Sequence, residues 1–227
     1  AIVVEPVQGE GGYVVPPKSF LQQLRAICDK HGILLVADEV QSGMGRTGRM
    51  FASEHFDLHP DLMSIAKGIA SGLPLGICAA KADVMDWTPG AHASTFGGNP
   101  LSCAAALATI KVLEDGAISN ADEVGSYLKA QLTALMDKHP TIGDVRGLGL
   151  MIGVELVKDR TTKERAIDER NALVQELFKR GILILGAGKN AVRFAPPLVI
   201  TKDQADTSVR LFSEALTVVE KQFGHAS

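Results

Sequence analysis

Ile33-Leu34-Leu35-Val36-Ala37-Asp38-Glu39-Val40-Gln41 carries the strongest fold signal in this chain. Five apolar residues run without a break and end on an acid, the pattern of a buried strand that stops at a carboxylate. A second, mainly apolar run from Leu62 to Ala66 ends on Lys67, in the small-residue setting Ser64-Ile65-Ala66-Lys67-Gly68.

Outward from there, a strand near Ile2 to Val4 and an amphipathic helix from about Ser19 to Lys30 precede the first run. Strand, helix, strand in that order predicts a βαβ unit with parallel strands and an α/β fold. Leu75 to Ala80 adds a strand, and Asn99-Pro100 opens an Ala-rich helix running to about Leu113, with Asn as cap and Pro in the first turn.

Asp115-Gly116 breaks that pattern. Beyond it the sequence predicts a helix from about Ala121 to Lys138, a strand over Leu150 to Val157 and a helix near Glu164 to Lys179. Short strands at Ile182 to Leu185 and Val192 to Phe194 and a final helix from Lys202 complete the chain. The expected organisation is a large, mostly parallel-sheet domain over 1–114 and a smaller α/β domain over 115–227. The Ala-rich helix is expected to pack the two together, with the site between them.

With 227 residues, 46% hydrophobic and 22% charged, the chain is long enough to bury a sizeable core. A net charge of −3, a pI near 6.1 and no long block of like charge give no electrostatic footprint for nucleic acid or an anionic membrane. No apolar run approaches the roughly 20 residues of a membrane span, and the start lacks a signal-peptide layout, so a cytoplasmic location is expected. Cys28, Cys78 and Cys103 form no C-x-x-C pair and read as three small, partly buried thiols. The chain opens Ala1-Ile2-Val3-Val4 without an initiator Met and reads as part of a longer polypeptide.

An amine at a strand end, with an apolar run behind it, is placed to act as a nucleophile, although a lysine taken alone is more often simply solvated. A carboxylate such as Asp38 can hold a proton on a pyridine nitrogen and so let the ring absorb electrons, although an isolated aspartate is more often a turn or helix cap. An acid and an amine so placed are what a pyridoxal phosphate enzyme needs.

Four segments then carry a family resemblance: Glu5-Pro6-Val7-Gln8-Gly9-Glu10-Gly11-Gly12, Ala37-Asp38-Glu39-Val40-Gln41-Ser42-Gly43, Ala66-Lys67-Gly68 and Ser94-Thr95-Phe96-Gly97-Gly98-Asn99-Pro100. In this order and spacing the chain resembles class III pyridoxal-phosphate-dependent aminotransferases, of fold type I. The resemblance continues through Gly143-Asp144-Val145-Arg146-Gly147-Leu148-Gly149-Leu150-Met151 and Val192-Arg193-Phe194-Ala195-Pro196-Pro197-Leu198.

It implies that Lys67 holds pyridoxal 5'-phosphate as a Schiff base and shuttles a proton, and that Asp38 pairs with the pyridinium nitrogen. Val40 would pack under the ring, facing away from Glu39 if the strand continues, and Gln41 would hydrogen-bond the phenolic oxygen. Thr95 would reach the cofactor phosphate of a neighbouring subunit, which implies a homodimer or higher oligomer. Arg193, flanked by apolar residues, would bind a substrate carboxylate, with a structural salt bridge as the bland alternative. Glu10 resembles a gate that pairs with Arg193 for ω-amino donors and swings away for a 2-oxo acid.

Gly11-Gly12-Tyr13 and Glu10 suit 4-aminobutyrate-like donors, whereas the segment 193–198 resembles the acetylornithine and ornithine branch, and amino acid racemases belong to the same family. The pieces that similar enzymes use to cradle the phosphate are expected upstream of residue 1, so the chain reads as half a site that needs an N-terminal remainder.

Three further patterns are weaker. Gly43-Met44-Gly45-Arg46-Thr47-Gly48 matches G-x-G-x-x-G but does not directly join a strand to a long helix. Gly186-Ala187-Gly188-Lys189 lacks P-loop spacing and reads as a loop. His55 and His59 have i, i+4 spacing without an evident third ligand, so no metal is expected.

Overall fold

The structure is a computed structural model and describes residues 1–225. Its backbone contacts divide into two units, one of residues 1–7 and 16–119, the other of residues 8–15 and the chain from Asn120 onward. A short early segment therefore belongs with the second unit, a long-range assignment that local periodicity could not reveal.

The first unit carries β1 (Ile2–Val4), α1 (Lys18–His31), β2 (Leu35–Asp38), β3 (Leu62–Ile65), β4 (Ile77–Ala80) and α2 (Pro100–Val112). Strand order is β1-β2-β3-β4, with β1, β2 and β3 parallel and β4 antiparallel to β3. Helix α1 buries Leu21 and Cys28 and ends at Gly32, whose φ of 62° puts it in the left-handed region that glycine adopts cheaply. Helix α2 starts as the sequence predicts: the Asn99 side chain accepts from Ser102 N–H at 2.9 Å and Pro100 fills the first turn. Cys28 is buried, but Cys78 and Cys103 are exposed, which corrects the expectation of three partly buried thiols.

At the amino-terminal ends of β2 and β3, Asp61 ties the sheet together. Its Oδ2 accepts from Leu35 N–H at 2.8 Å and Arg25 at 2.7 Å, and its Oδ1 accepts from Lys81 at 2.6 Å.

The helical path breaks at Gly116, as the sequence predicts: its φ of 141° and ψ of −11° are non-helical, and this kink separates the helical stretch that ends in Leu113–Ala117 from α3 (Ile118–Ala134).

The second unit contains β5 (Ile142–Leu148), β6 (Met151–Asp159), β7 (Glu164–Arg165), α4 (Ile167–Lys179), β8 (Leu185–Ala187), β9 (Ala191–Phe194) and α5 (Lys202–Phe223). Its sheet is wholly antiparallel, in the order β5-β6-β9-β8 with β7 beside β6. Leu128, Leu132, Leu173, Leu177, Phe212 and Leu216 pack on the sheet's Ile152, Val154, Leu156, Val192 and Phe194 to make the core. The Phe194 and Phe212 rings meet edge to face at 5.3 Å. Helix α5 begins with a capping box, Thr201 and Gln204 each bonding the other's backbone N–H.

Candidate active site

In open α/β sheets, ligands bind beyond the carboxyl ends of the parallel strands. Strand β2 ends there on Asp38, in register with Ser64 of β3. Asp38 Oδ1 accepts from Ser64 Oγ at 3.1 Å and from Val40 N–H at 3.0 Å, while Oδ2 has no hydrogen bond among the described residues. The Val40 bond closes an Asx-type turn, so the strand stops and residues 40–47 form turns. Val40 therefore does not continue the strand alternation with Glu39, contrary to that part of the sequence reading. Val40 and Gln41 are half-buried, and the Gln41 amide is unbonded among the described residues.

Glu39, which sequence reasoning passed over, fixes this loop. Its side chain is inside the protein, the residue 1% exposed. Oε1 accepts from Ser53 N–H and Ser53 Oγ, both at 2.7 Å, and Oε2 accepts from Ser42 Oγ at 2.6 Å and Ala52 N–H at 3.0 Å. Four donors converging on one carboxylate satisfy a charge that would otherwise be costly to bury. Two of those residues lie 13 and 14 positions on, so no local pattern announces them.

Lys67 follows β3 and opens a 3-10 turn, Lys67–Ala70, anchored by buried Ile69 and Ala70. Its φ of 49° is in the left-handed region, an unusual conformation for a lysine that costs on the order of 1 kcal/mol and marks functional sites often enough to note. The side chain is exposed and makes no hydrogen bond or ion pair among the described residues. The apolar run behind the amine therefore does not shield it within this chain: Ile65 is buried, Ala66 half-buried and Lys67 exposed. Thr95 is exposed in the connection between β4 and α2, and no described contact joins it to Asp38 or Lys67.

Glu10 and Arg193 meet in the second unit, with Arg193 Nη1 donating to Glu10 Oε2 at 2.9 Å. Arg193 lies on β9 and its side chain is 19% exposed, whereas that of Glu10 is 75% exposed. The segment bearing Glu10 is closed by one backbone bond of its own and held on the second unit by two further contacts. Gln8 N–H donates to Val14 C=O at 3.0 Å, and Gly188 N–H donates to Glu10 C=O at 2.6 Å. Arg146 donates twice to Gly12 C=O, at 3.1 and 2.7 Å, while its Nη1 binds Asp144 and Glu155. Arg146 and Gly188 appear in the sequence only as parts of motifs, and their roles are visible only here. A Cβ at Gly188 would lie 2.7 Å from Gly11 C=O, which explains a glycine in the P-loop-like stretch.

The donors and acceptors of the first unit match a pyridine ring bearing an aldehyde and a phenolic oxygen. Asp38 Oδ2 offers a half-buried acceptor for a ring N–H, Gln41 an uncommitted amide, and Lys67 an uncommitted amine. These are the groups with which a protein holds and tunes pyridoxal 5'-phosphate.

An α/β sheet of mainly parallel strands followed by an antiparallel-sheet unit is the architecture of the chain. Residues 1–216 match the family model described as Aminotransferase class-III, and the chain belongs to that family. It is 44% identical to the leucine/methionine racemase of Thermococcus litoralis, over 97% of this chain and 50% of the relative. It is also 44% identical to the 4-aminobutyrate aminotransferase GabT of Escherichia coli, over 94% of this chain and 51% of the relative. An amine transaminase from an uncultivated Pseudomonas species, solved in its PLP-bound form, superposes with a TM-score of 0.90 at 38% identity, over 96% of this chain and 52% of that one. The chain spans about half the length of the curated relatives it matches.

Proposed function

We propose that the protein carrying this chain is a pyridoxal-phosphate-dependent aminotransferase moving an amino group from an amino acid or ω-amino donor to a 2-oxo acid such as 2-oxoglutarate. The observation that carries this reading is the pairing of Asp38, with one carboxylate oxygen uncommitted, and Lys67, with an uncommitted amine, beyond the carboxyl ends of adjacent parallel strands. Membership of the class-III family supports the same cofactor.

When bound, the cofactor supplies a protonated pyridine ring that takes up the electron pair left as a proton leaves the substrate carbon. Asp38, oriented by Ser64 Oγ and Val40 N–H, would keep the proton on the ring nitrogen. Lys67 would be the amine that holds the cofactor and would move the proton to and from the substrate carbon. Gln41 would supply a donor for the phenolic oxygen and Val40 an apolar surface for the ring. Thr95 binds phosphate on a neighbouring subunit, which makes the active form at least a homodimer. Arg193 binds a substrate carboxylate, and Glu10 occupies Arg193 when the incoming group is an amine. A 4-aminobutyrate-like or acetylornithine-like donor suits these residues, and a cytoplasmic setting suits the small-molecule substrates.

The test is spectroscopic. Lys67→Ala should abolish the visible absorption band of cofactor bound through a protein amine, and Asp38→Asn should retain cofactor but lose turnover. A Lys67→Ala protein with the wild-type spectrum would sink this reading.

The similarity to the leucine/methionine racemase favours a second reading, racemisation of an amino acid on the same residues. A panel of amino donors with 2-oxoglutarate, run beside a single amino acid enantiomer, separates the two. Loss of optical activity without net amino transfer would establish the racemase.

A further inference from the structure

A cavity of about 700 Å³ in the second unit is lined by Glu10, Arg193, Arg170, Asn171, Gln175 and Gly186, with three further residues. It is of the size that takes small molecules. The lining carries two arginines and one carboxylate, so the cavity keeps a net positive charge while Glu10 is paired with Arg193.

Arg170 reaches the cavity from the first turn of α4, around strand β8 at the edge of the sheet. Leu185 of β8 pairs with Arg193 and Gly186 pairs with Val192, so positions 186 and 193 point to opposite faces of the sheet. The Arg170 guanidinium fills the space that a side chain at 186 would take: a Cβ there would lie 1.8 Å from Nη1 and 2.8 Å from Cζ. Glycine at 186 is what admits it.

Arg193 has an acidic partner, and Arg170 has none among the described residues. Arg170 is half-buried, its Nε is buried without a hydrogen bond, and no ion pair reaches its guanidinium among the described residues. The adjacent Glu169 is directed elsewhere, its Oε1 lying 2.7 Å from His225 Nε2. A guanidinium cannot shed its proton, so a partly desolvated one is stabilised by an anion supplied from outside. Asn171 and Gln175, on the same helix, add neutral hydrogen-bonding groups suited to carboxylate oxygens.

We propose that Arg170 is the anion-binding residue of a second subsite, taking a carboxylate of a dicarboxylic ligand while Glu10 stays on Arg193. As a substrate subsite this rests on the aminotransferase reading; as a carboxylate site it stands on the cavity alone. The gate then need not open for every carboxylate the enzyme admits.

The probe is glutarate, which carries two carboxylates and no reactive oxo or amino group, titrated calorimetrically into the holoenzyme beside its neutral diamide. Removing a hydrogen-bonded charge partner is worth 1.5–3 kcal/mol, so Arg170→Gln should weaken glutarate binding roughly 10- to 100-fold and leave the diamide unchanged. Gly186→Ala keeps the charge but displaces the flexible end of Arg170, and should weaken glutarate in the same direction with an unchanged melting midpoint. It also keeps the question decidable if Arg170→Gln fails to fold. Wild-type glutarate affinity in both variants, with loss confined to Arg193→Gln, would overturn the proposal. A wild-type enzyme that transfers no amino group would defeat the reaction reading, and the glutarate titration would still decide Arg170.

Discussion

Glu39 Oε1 accepts two hydrogen bonds from the one residue Ser53, from its N–H and its Oγ, each at 2.7 Å. With Ser42 and Ala52 on Oε2, this clamps residues 39–53 into one rigid loop and so fixes the aim of Asp38 and Gln41 on either side of Glu39.

Glu39→Gln should therefore be damaging although nearly isosteric. All four partners are donors, so the new NH₂ must face a donor, and leaving buried groups unsatisfied costs about 1–3 kcal/mol. Urea denaturation should show a loss of that size, and apo-protein titration should show weaker cofactor binding. Wild-type values of both would mean the loop does not depend on this carboxylate.

Glu10→Ala should separate function from stability. The Glu10 and Arg193 pair is largely exposed on the glutamate side, and pairs of that kind are worth about 0–1 kcal/mol. The melting midpoint should barely move, whereas the half-reaction with ω-amino donors should suffer more than that with glutamate or 2-oxoglutarate. Equal losses in both half-reactions would make Glu10 a structural residue.

Asp61 should govern acid stability of the first unit. Burial by itself pushes its carboxyl up, but the Leu35 N–H, Lys81 and Arg25 outweigh burial and hold it well below the ordinary value of about 3.8. A depressed folded-state value means the stabilisation is complete above that ordinary value and is lost as pH falls below it. Asp61→Asn should cost about 3 kcal/mol at neutral pH, as for breaking a buried ion pair, and should flatten the loss of melting temperature below about pH 4. Parallel acid profiles for the two proteins would refute this.

Gly125→Ala runs against the usual helix rule. Alanine in place of glycine ordinarily stabilises a helix by about 1 kcal/mol. At this point in α3 a Cβ would lie 2.1 Å from the carbonyl carbon and oxygen of Gly149, which are backbone atoms that cannot swing aside. A drop of several degrees or more in melting midpoint is expected, and a rise would show that the helix can slide.

Parts of this were legible from local pattern. β2, β3, α2 with its Asn99 cap and α5 from Lys202 fall where periodicity and capping place them, because each is decided within a few residues. β5 was not read as a strand: its pairing shifts between Ile142 and Asp144, and such a bulge breaks the alternation on which a strand is recognised. β8 lies at 185–187 rather than 182–185 because pairing with β9, not composition, sets it. The gate pair was expected only through family resemblance, since its partners are 183 positions apart.

Asp38 and Glu39 are adjacent acids, and local pattern alone places both at the close of a buried strand, because an unbroken apolar run and its end are local facts. Their fates diverge through long-range contacts. Glu39 turns inward to donors brought from Ser42, Ala52 and Ser53, and its charge is spent on holding the loop. Asp38 faces Ser64 across the strand end and keeps one oxygen uncommitted. A carboxylate becomes structural or available according to which donors the fold carries to it, and here those donors come from other segments of the chain.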